Sequence, residues 1–377
     1  MNVLVAPDSF KECLSAKEVA QHISNGILNV YPDAKIHQIP ISDGGEGLLD
    51  ALLYGVGGML NAVMVKDPLL RNIQANFGIL KDGTAVIEMA KASGLELLSH
   101  AEKNPMITST YGTGQLIKSA LDKGCKNILV GIGGSATNDA GTGMLRALGC
   151  EFLDVNDDEL KDGGAYLEHL AKIDLKNIDK RLKDCKITVA CDVDNPLTGP
   201  NGASYTYAAQ KGATPAQIIQ LDNNLKHFAH ILKLQLNIDV EHLSGAGAAG
   251  GIGASLSGFL NAKLVSGIDL ILETLKIEKH IKNADIIFTG EGKIDNQTLH
   301  GKTIVGIAKI AKKHKVPVIA LAGKVDKGYE SLIDIGITAV HEISDSKLNI
   351  KEAIKRASEN LEQKTIESLN TLNKIAK

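Results

Sequence analysis

The amino-acid sequence predicts an α/β fold in which a mainly parallel sheet forms the centre of one domain. Short apolar runs rich in β-branched residues, such as residues 2–6, 128–130 and 284–289, alternate with segments of helical periodicity. Several of these runs lead directly into loops of glycine, aspartate and lysine. The chain of 377 residues is too long for one ordinary core, and its length suggests about two or three domains.

The first predicted strand covers residues 2–6, and a helix is expected from about residue 15 to residue 27. Ser15 and Glu18 have the spacing of a capping box. A stripe of apolar residues follows at helical spacing, formed by Val19, Ile23 and Ile27. We expect a strand that begins at residue 2 to lie in the middle of the parallel sheet.

The loop after this strand contains Asp8, Ser9 and Lys11. Ligands of open α/β sheets bind at the carboxyl ends of the strands. Two opposite charges around a serine at this edge favour a functional role, although a solvated polar turn would have the same composition.

A second strand is predicted at residues 35–40, and the loop that follows places Asp43 and Glu46 among three glycines. These two carboxylates could hold Mg²⁺, accept hydrogen bonds from substrate hydroxyl groups, or cap the next helix. A cap would explain Asp43 but not the glycines.

The pattern changes from about residue 55. Residues 62–65, 72–80 and 84–89 are short strand-like runs separated by turn signals, which resemble an antiparallel meander rather than a βαβ unit. A second domain therefore starts near residue 60.

The stretch at residues 126–149 has the order strand, glycine-rich loop, helix. Gly131, Gly133 and Gly134 follow the strand, and the polar residues after them can each cap a helix; they are Ser135, Thr137, Asn138 and Asp139. Backbone N–H groups and a helix N-terminus in this order can bind a phosphate. The alternative is a tight βα turn with no ligand.

A strand at residues 187–190 leads into Asp192 and Asp194. Two aspartates two residues apart can point to the same side of a strand and converge on a cation beyond it. Alone they are a weak metal signal.

The run at residues 244–253 contains three glycines with the spacing of a dinucleotide-binding motif, Gly245, Gly247 and Gly250. No clear strand precedes them, so close backbone packing or the start of a helix explains them better. Residues 218–236 before this run are predicted to form a packing helix.

The strand at residues 284–289 runs into a loop that carries Gly290, Glu291, Lys293 and Asp295. Gly301, Lys302 and Thr303 follow and end like a phosphate-binding loop, but Asn296 stands where that motif requires glycine. Further strands are predicted at residues 316–321 and 338–342, and an amphipathic helix at residues 350–377.

Composition excludes several classes of protein. The formal net charge of -3 provides no basic field for nucleic acid or an anionic membrane. The five cysteines show no C-x-x-C, the N-terminus has no apolar signal region, and no run approaches the about 18 apolar residues of a membrane span. We expect a cytoplasmic protein that binds small molecules, but neither nucleic acid nor a membrane.

Carboxylates, lysines and glycine-rich loops at so many strand ends suggest phosphoryl transfer. In that reaction the protein positions the groups and neutralises charge with Mg²⁺, lysine and helix N-termini, while an aspartate can orient or deprotonate the acceptor hydroxyl. Zinc hydrolysis and serine hydrolysis lack support, because H-x-x-x-H and G-x-S-x-G do not occur.

Six segments together resemble the bacterial type-1 glycerate kinases. They are APDSFKECLSA (6–16), PISDGGEG (40–47), TSTYGTGQ (108–115), GIGGSATNDAGTGM (131–144), CDVDNPLTGPNGA (191–203) and TGEGKIDNQT (289–298). The resemblance implies phosphorylation of D-glycerate by ATP with Mg²⁺, and members of this type are associated with 2-phosphoglycerate. It also implies a Rossmann-like or flavodoxin-like domain, a mixed α/β domain inserted into it, and a site in the cleft between them.

We assign residues 1–60 and 281–377 to the Rossmann-like domain and residues 61–280 to the inserted domain, with 104–150 able to belong to either. Asp192, Lys293, Asp295 and Asp8 are the candidate catalytic residues, and Asp192 and Asp194 the candidate metal ligands. Candidate glycerate-binding residues are Ser9, Lys11, Asp43 and Glu46. Candidate nucleotide-binding residues are Gly131, Gly133, Gly134, Ser135, Asn138, Asp139, Gly290 and Glu291.

Three alternatives stay open: a kinase of another small hydroxy acid, a dehydrogenase that uses the run at residues 244–253, and a two-lobed binding protein. The sequence is compatible with a monomer or a homodimer.

Overall fold

A computed structural model of the chain describes residues 1–10, 13–42, 44–45, 47–295, 298, 303–344 and 350–375. These residues form two compact units. The first unit consists of Met1–Asp43, Asp50–Gly57 and Ile268–Lys377, and the second of Gly44–Leu49 and Gly58–Gly267. The domain limits given above stay a prediction.

The strands, in chain order, are β1 (Asn2–Val5), β2 (Lys35–Gln38), β3 (Gly58–Lys66), β4 (Asn72–Leu80), β5 (Ala85–Glu88), β6 (Asn127–Gly131), β7 (Glu151–Leu153), β8 (Lys172–Asp174), β9 (Lys186–Ala190), β10 (Lys263–Val265), β11 (Ile286–Ile294), β12 (Val318–Val325) and β13 (Ala339–Glu342).

The α-helices are α1 (Ala16–Val30), α2 (Leu48–Val56), α3 (Ala90–Ser93), α4 (Tyr111–Asp122), α5 (Thr142–Ala147), α6 (Ala203–Tyr207), α7 (Pro215–Leu236), α8 (Ala248–Leu260), α9 (Gly267–Thr274), α10 (Ile277–Lys282), α11 (Thr303–His314), α12 (Ser331–Ile335), α13 (Ile350–Lys355) and α14 (Ala357–Ile375).

The first unit contains a five-stranded sheet in the order β13-β12-β11-β1-β2. All four strand pairs are parallel, and Val3 of β1 lies between Ile286 of β11 and Ile36 of β2. β1 is therefore an interior strand, although β11, and not β1, occupies the middle of the sheet. Buried residues of α1 and α14 pack on one face of this sheet and form its core with Val3, Val5 and Ile319.

Helix α1 begins where the capping box predicts. Ser15 Oγ accepts a hydrogen bond of 3.3 Å from Glu18 N, and Glu18 Oε2 accepts one of 2.8 Å from Ser15 N. The helix continues to Val30, three residues beyond the predicted end. Its predicted apolar stripe, which includes Ile23 and Ile27, is buried.

The second unit contains a six-stranded sheet in the order β10-β9-β6-β5-β4-β3. Strands β3, β4 and β5 are antiparallel, as the meander predicts. However, β5 is also parallel to β6, with α4 between them in the chain, so the expectation that this region lacks a βαβ unit is wrong for its last strand. Strands β6, β9 and β10 continue the parallel part.

One all-parallel sheet and one mixed sheet confirm the predicted α/β fold class. The predicted C-terminal helix differs in one respect, since the chain forms α13 and α14 with a break at Arg356. Among the described residues, no helix combines the length and apolar character that a membrane crossing requires.

Candidate active site

In the first unit, the carboxyl ends of β1 and β11 form the point at which the strand order reverses. The chain proceeds from β1 outward to β2 and later returns to β11 on the other side of β1. Ligands of open α/β sheets bind at such a switch point. The backbone of Asp8 lies there, since its N–H donates a 2.8 Å hydrogen bond to Gly290 O.

The Asp8 carboxylate is held on both of its oxygens. Oδ1 accepts hydrogen bonds from Ser9 N at 2.6 Å and Ser9 Oγ at 3.3 Å, and Oδ2 accepts one from Thr303 Oγ1 at 2.7 Å. Thr303 is the first residue of α11. The structure therefore brings the predicted pair Asp8 and Ser9 together, while Lys11 lies outside the described residues.

Strand β11 is longer than predicted and ends at Ile294, so Glu291 and Lys293 lie within a strand rather than in a loop after it. The physical reason is the neighbouring strand. β12 also continues beyond its predicted end, and Lys293 is paired in register with Lys324. Backbone hydrogen bonds between the two strands thus outweigh the glycines that suggested a loop.

Lys293 Nζ lies 2.8 Å from Asp326 Oδ2 and 3.4 Å from Asp295 Oδ2. The hydrogen bond to Asp326 is the main reason that the pKa of Lys293 is raised, with a smaller contribution from Asp295. Its side chain is half exposed. Lys293 is therefore a fixed cation at the carboxyl end of β11, held by an aspartate that no sequence signal identified.

Glu291 is buried, and its Oε1 accepts a hydrogen bond of 2.5 Å from Thr298 Oγ1. Thr298 Oγ1 also accepts one of 3.1 Å from Asp295 N. The hydroxyl group of Thr298 thus connects two of the predicted site residues.

In the second unit, four parallel strands present their carboxyl ends in the order β10-β9-β6-β5. Asp192 and Asp194 follow β9 and are exposed. Asp192 Oδ1 accepts a 2.7 Å hydrogen bond from the N–H of Gly267, the first residue of α9. Within the described ranges, no group of three or more histidine, cysteine, aspartate or glutamate side chains is placed to hold a metal ion.

The loop at residues 131–139 is fixed by its backbone. Leu95 N donates to Gly134 O and Ala136 N donates to Ser93 O, both at 2.9 Å. Only Gly133 and Gly134 of this loop are exposed. Because the N–H groups of these two glycines donate to no described residue, they are available to a ligand.

Helix α5 begins later than the sequence pattern indicates. Its first residue is Thr142 and its N-cap is Gly141, so none of the four polar side chains proposed as caps occupies the cap position. Asp139 instead reaches the helix start from the loop, where its Oδ1 accepts from Gly141 N at 3.1 Å and its Oδ2 from Gly143 N at 3.3 Å. A carboxylate therefore already occupies the N-terminus of this six-residue helix.

Asp139 is completely buried, and burial raises the pKa of its carboxyl. Hydrogen bonds from Thr110 N at 2.9 Å and Thr110 Oγ1 at 2.7 Å oppose this shift. Asn138 is also fully buried, and its Nδ2 donates to Ser204 Oγ at 3.0 Å. Both side chains therefore connect the end of the loop to buried neighbours, Asp139 to Thr110 and the start of α5, and Asn138 to Ser204.

The segment at residues 44–49 packs against the carboxyl ends of these strands. A Cβ atom on Gly44 would lie 2.6 Å from Gly267 Cα, and one on Gly133 would lie 3.1 Å from Gly45 Cα. Glu88 at the end of β5 is buried, and its Oε1 accepts a 2.9 Å hydrogen bond from Leu49 N. Asp43 and Glu46 lie outside the described residues.

The glycine run at residues 244–253 has a packing role. Gly250 and Gly251 have positive φ angles of 71° and 95°. A Cβ atom on Gly250 would collide with Thr137 O and lie 2.7 Å from Asn138 Cα. Gly250 O also accepts a 3.0 Å hydrogen bond from Ala140 N. Close backbone contact with residues 137–140 therefore explains Gly250 and Gly251, and contact with Pro196 O explains Gly247, without a dinucleotide.

Sequence reasoning missed Lys211, which lies under the same loop. It is 2% exposed, and its Nζ donates hydrogen bonds of 2.7 Å to both Ser135 Oγ and Thr137 O. Lys211 precedes a helix cap and belongs to none of the charged strand-end loops, so no pattern in the sequence singled it out. Asp326 was missed for the same reason, whereas Thr303 was noticed only as the end of a phosphate-binding motif that the sequence does not complete.

Comparison with known proteins identifies the family of this chain. Residues 3–373 match the model of the glycerate kinase family. The chain is 47% identical over 362 residues to the glycerate 2-kinase of Escherichia coli (strain K12), an alignment that covers 96% of this chain and 95% of that protein. It is 46% identical over 364 residues to the glycerate kinase of Bacillus subtilis (strain 168), with the same coverage of 96% and 95%.

A solved structure has the same fold. The crystal structure presented as glycerate kinase 2 from Salmonella typhimurium LT2 superposes with a TM-score of 0.90 at 44% sequence identity. The superposition covers 99% of this chain and 98% of that one. The chain therefore belongs to the glycerate kinase family of phosphotransferases.

Proposed function

We propose that the protein transfers a phosphoryl group from ATP to D-glycerate, with Mg²⁺ as the metal ion and 2-phospho-D-glycerate as the product. One observation carries this proposal. The family match extends over nearly the whole chain, and a relative that is 47% identical over 96% of it is named glycerate 2-kinase.

The loop at residues 131–139 is the proposed site for the nucleotide phosphates. Gly133 and Gly134 are exposed residues, and their N–H groups, which donate to no described residue, are the donors that an anionic oxygen needs. Ser135 adds a hydroxyl group, whereas Gly131 permits the close approach of Gly44 O to the loop. Asn138 and Asp139 act by holding the loop from beneath, because their side chains are buried.

The residues after β9 are the proposed acceptor and metal site. An aspartate there can orient or deprotonate the hydroxyl group of the substrate, and Asp192 is our first candidate. Mg²⁺ in kinases is bound by one or two carboxylates together with substrate phosphates, so Asp192 and Asp194 have suitable chemistry even without a third protein ligand.

Most of the remaining candidates belong to the first unit. Lys293 is a fixed cation, as expected of a group that neutralises charge on the transferring phosphoryl group. We assign Asp8, Ser9, Lys11, Asp43 and Glu46 to glycerate, as the sequence suggested. Gly290 and Glu291 lie on β11 with Lys293, and Asp295 follows that strand; all three stay candidates for the nucleotide or the reaction.

A panel of acceptors tests the substrate. With MgATP, we expect turnover with D-glycerate and much less with L-glycerate. D-lactate keeps the C2 hydroxyl and 3-hydroxypropionate keeps the C3 hydroxyl. Measurable turnover of D-lactate, even if slow, with no turnover of 3-hydroxypropionate would support phosphorylation at C2. If another hydroxy acid is turned over faster than D-glycerate, that acid and not D-glycerate is the preferred substrate.

Ligand binding tests the reaction class independently of the acceptor. A ligand at 100 times its dissociation constant stabilises the folded protein by about 2.7 kcal/mol, which a thermal-shift assay detects. We expect MgATP and MgADP to stabilise the protein and NADH to have no effect. Stabilisation by NADH alone would favour the dehydrogenase alternative.

A further inference from the structure

Lys211 is a long cationic side chain in a place where lysine is rarely found. It ends a short turn of 3-10 helix, Ala209–Lys211, and is among the largest side chains of the protein that are almost completely buried. Burial of an ammonium group is unfavourable unless hydrogen bonds compensate for the lost water. The hydrogen bonds of Lys211 therefore have to account for its burial, and they indicate its role.

Both hydrogen bonds that Lys211 Nζ donates to described residues are to the loop at residues 131–139. Its Nζ donates to Ser135 Oγ and to Thr137 O, at 2.7 Å each. Among the described residues, the charge that raises its pKa is that of Asp139, and burial lowers that pKa more strongly, to about 7. A neutral amine has two N–H donors, which these two acceptors satisfy; an ammonium group has a third.

The bond to Ser135 fixes what the serine can do. Because Ser135 Oγ accepts a hydrogen bond from Lys211 Nζ, its own hydrogen must point away from Nζ. Ser135 follows Gly134, an exposed residue whose N–H donates to no described residue. Lys211 thus leaves the serine hydroxyl as a donor beside two backbone donors.

A second observation at the same loop is independent of Lys211. Thr137 Oγ1 and Asn138 Oδ1 are fully buried and have no hydrogen-bond partner among the described residues. Buried polar atoms without partners are rare in folded proteins, and each one calls for an explanation, of which a catalytic role is one. The buried side of this loop therefore contains two polar atoms whose presence packing alone does not explain.

We propose that Lys211 is a positioning residue for the nucleotide phosphates, which holds Ser135 Oγ and the carbonyl group of Thr137 so that the donors of residues 133–135 converge on a phosphate oxygen. This inference rests on the proposed function. It predicts that loss of Lys211 weakens the binding of ATP and leaves the binding of glycerate nearly unchanged.

Lys211→Met tests the proposal, since methionine fills a similar volume without a donor. Loss of two hydrogen bonds from a preorganised loop should weaken MgATP binding about 10-fold, measured both as KM and by calorimetric titration of MgADP. The KM for D-glycerate should change less than twofold. Lys233→Met, which removes a lysine that is 62% exposed on α7, is the control for loss of a positive charge.

Ser135→Ala distinguishes positioning from a structural role. It should weaken nucleotide binding in the same direction, and the Lys211→Met/Ser135→Ala double variant should bind more tightly than the product of the two single effects predicts, because both single variants remove the same contact. Lys211→Met protein that is folded by circular dichroism and binds MgADP as the wild type does would overturn the inference. If Lys211→Met does not fold, normal MgADP binding by Ser135→Ala would overturn it.

The wild-type protein separates this inference from the proposed function. Wild-type turnover with MgATP and D-glycerate, combined with normal nucleotide binding by Lys211→Met, would contradict only the role of Lys211. Absence of wild-type turnover and of nucleotide binding would contradict the proposed function itself.

Discussion

The carboxylate of Asp8 accepts a 2.7 Å hydrogen bond from Thr303 Oγ1, and this bond connects the exit of β1 with the first residue of α11. The two residues are 295 positions apart in the chain. Thr303 is completely buried, so its hydroxyl group has no competing water. The orientation of Asp8 at the switch point of the parallel sheet therefore depends on the start of a helix that lies late in the sequence.

Thr303→Val should lower kcat/KM for D-glycerate about 10-fold or more, because a hydrogen bond to a charged group contributes about 1.5–3 kcal/mol. Valine has nearly the same shape as threonine, so the fold should be kept. Thr303→Ser retains the hydroxyl group and should recover most of the activity. Steady-state kinetics on the three proteins check this, and equal kcat/KM for Thr303→Val and wild type would show that Asp8 needs no such support.

Lys293→Met should lower kcat by roughly a hundredfold or more, the effect of losing one electrostatic contact to the transition state. The matched control is Lys324→Met. Lys324 is paired with Lys293 in register but is 67% exposed, and its Nζ is 3.9 Å from Asp326. We expect Lys324→Met to keep kcat within about threefold of wild type, in line with the weak contribution of exposed ion pairs. Near-normal kcat for Lys293→Met would remove Lys293 from the catalytic residues.

Asp192→Asn and Asp194→Asn separate the two carboxylates after β9. If Asp192 orients or deprotonates the acceptor hydroxyl, Asp192→Asn should lower kcat by about 10²–10⁴-fold. Asparagine can still accept the hydrogen bond from Gly267 N, so the local structure should be kept. Asp194→Asn should mainly raise the Mg²⁺ concentration required for half-maximal rate. The assignment is reversed if Asp194→Asn has the larger effect on kcat at saturating Mg²⁺.

The lowered pKa of Lys211 predicts that the folding stability of the protein depends on pH. Burial lowers its pKa from the ordinary 10.5 to about 7. Between these values the unfolded chain holds a proton that the folded protein has released, so folding stability rises with pH over this range. The rise is at most about 1.4 kcal/mol per pH unit for one proton. Lys211→Met should lack this contribution.

Urea unfolding at several pH values from 7 to 9.5 measures the effect as the difference between wild type and Lys211→Met. That difference in unfolding free energy should shift in favour of the wild type as the pH rises. Other titrating groups, such as Cys150, whose pKa burial raises to about 12, are common to both proteins and cancel. If the unfolding free energies of the two proteins change equally with pH over this range, Lys211 remains protonated in the folded protein.

Local patterns predicted the elements with self-contained signals. The capping box at Ser15 predicted the start of α1, and short strand-like runs separated by turn signals located the antiparallel strands β3, β4 and β5. The fold class followed from the order of these elements. Such signals depend on residues that lie close together in the sequence, so they can be read without the tertiary structure.

Predictions that depend on neighbouring chain segments were less accurate. Glycines at 290 and 292 indicated a loop, yet pairing with β12 extends β11 to Ile294. The candidate caps of α5 lie in a loop that is fixed by Ser93, Leu95 and Gly250, and the helix starts only at Thr142. No short-range pattern contains this information.

The supporting residues of the site were out of reach for the same reason. Lys211 is 76 residues from Ser135 in the sequence, and Asp326 lies on a separate strand-end segment from Lys293. Motifs therefore identified residues that are candidates to contact a ligand. The side chains that hold those candidates in place became visible only in the structure.

The most direct test of the proposed reaction is an ADP-release assay with MgATP and D-glycerate, with the product identified by ³¹P and ¹³C NMR. We predict turnover that yields 2-phospho-D-glycerate. Formation of 3-phospho-D-glycerate would keep the glycerate kinase activity but contradict the proposed choice of hydroxyl group. No release of ADP in the presence of D-glycerate, from protein that binds MgATP, would contradict the central proposal that D-glycerate is the acceptor.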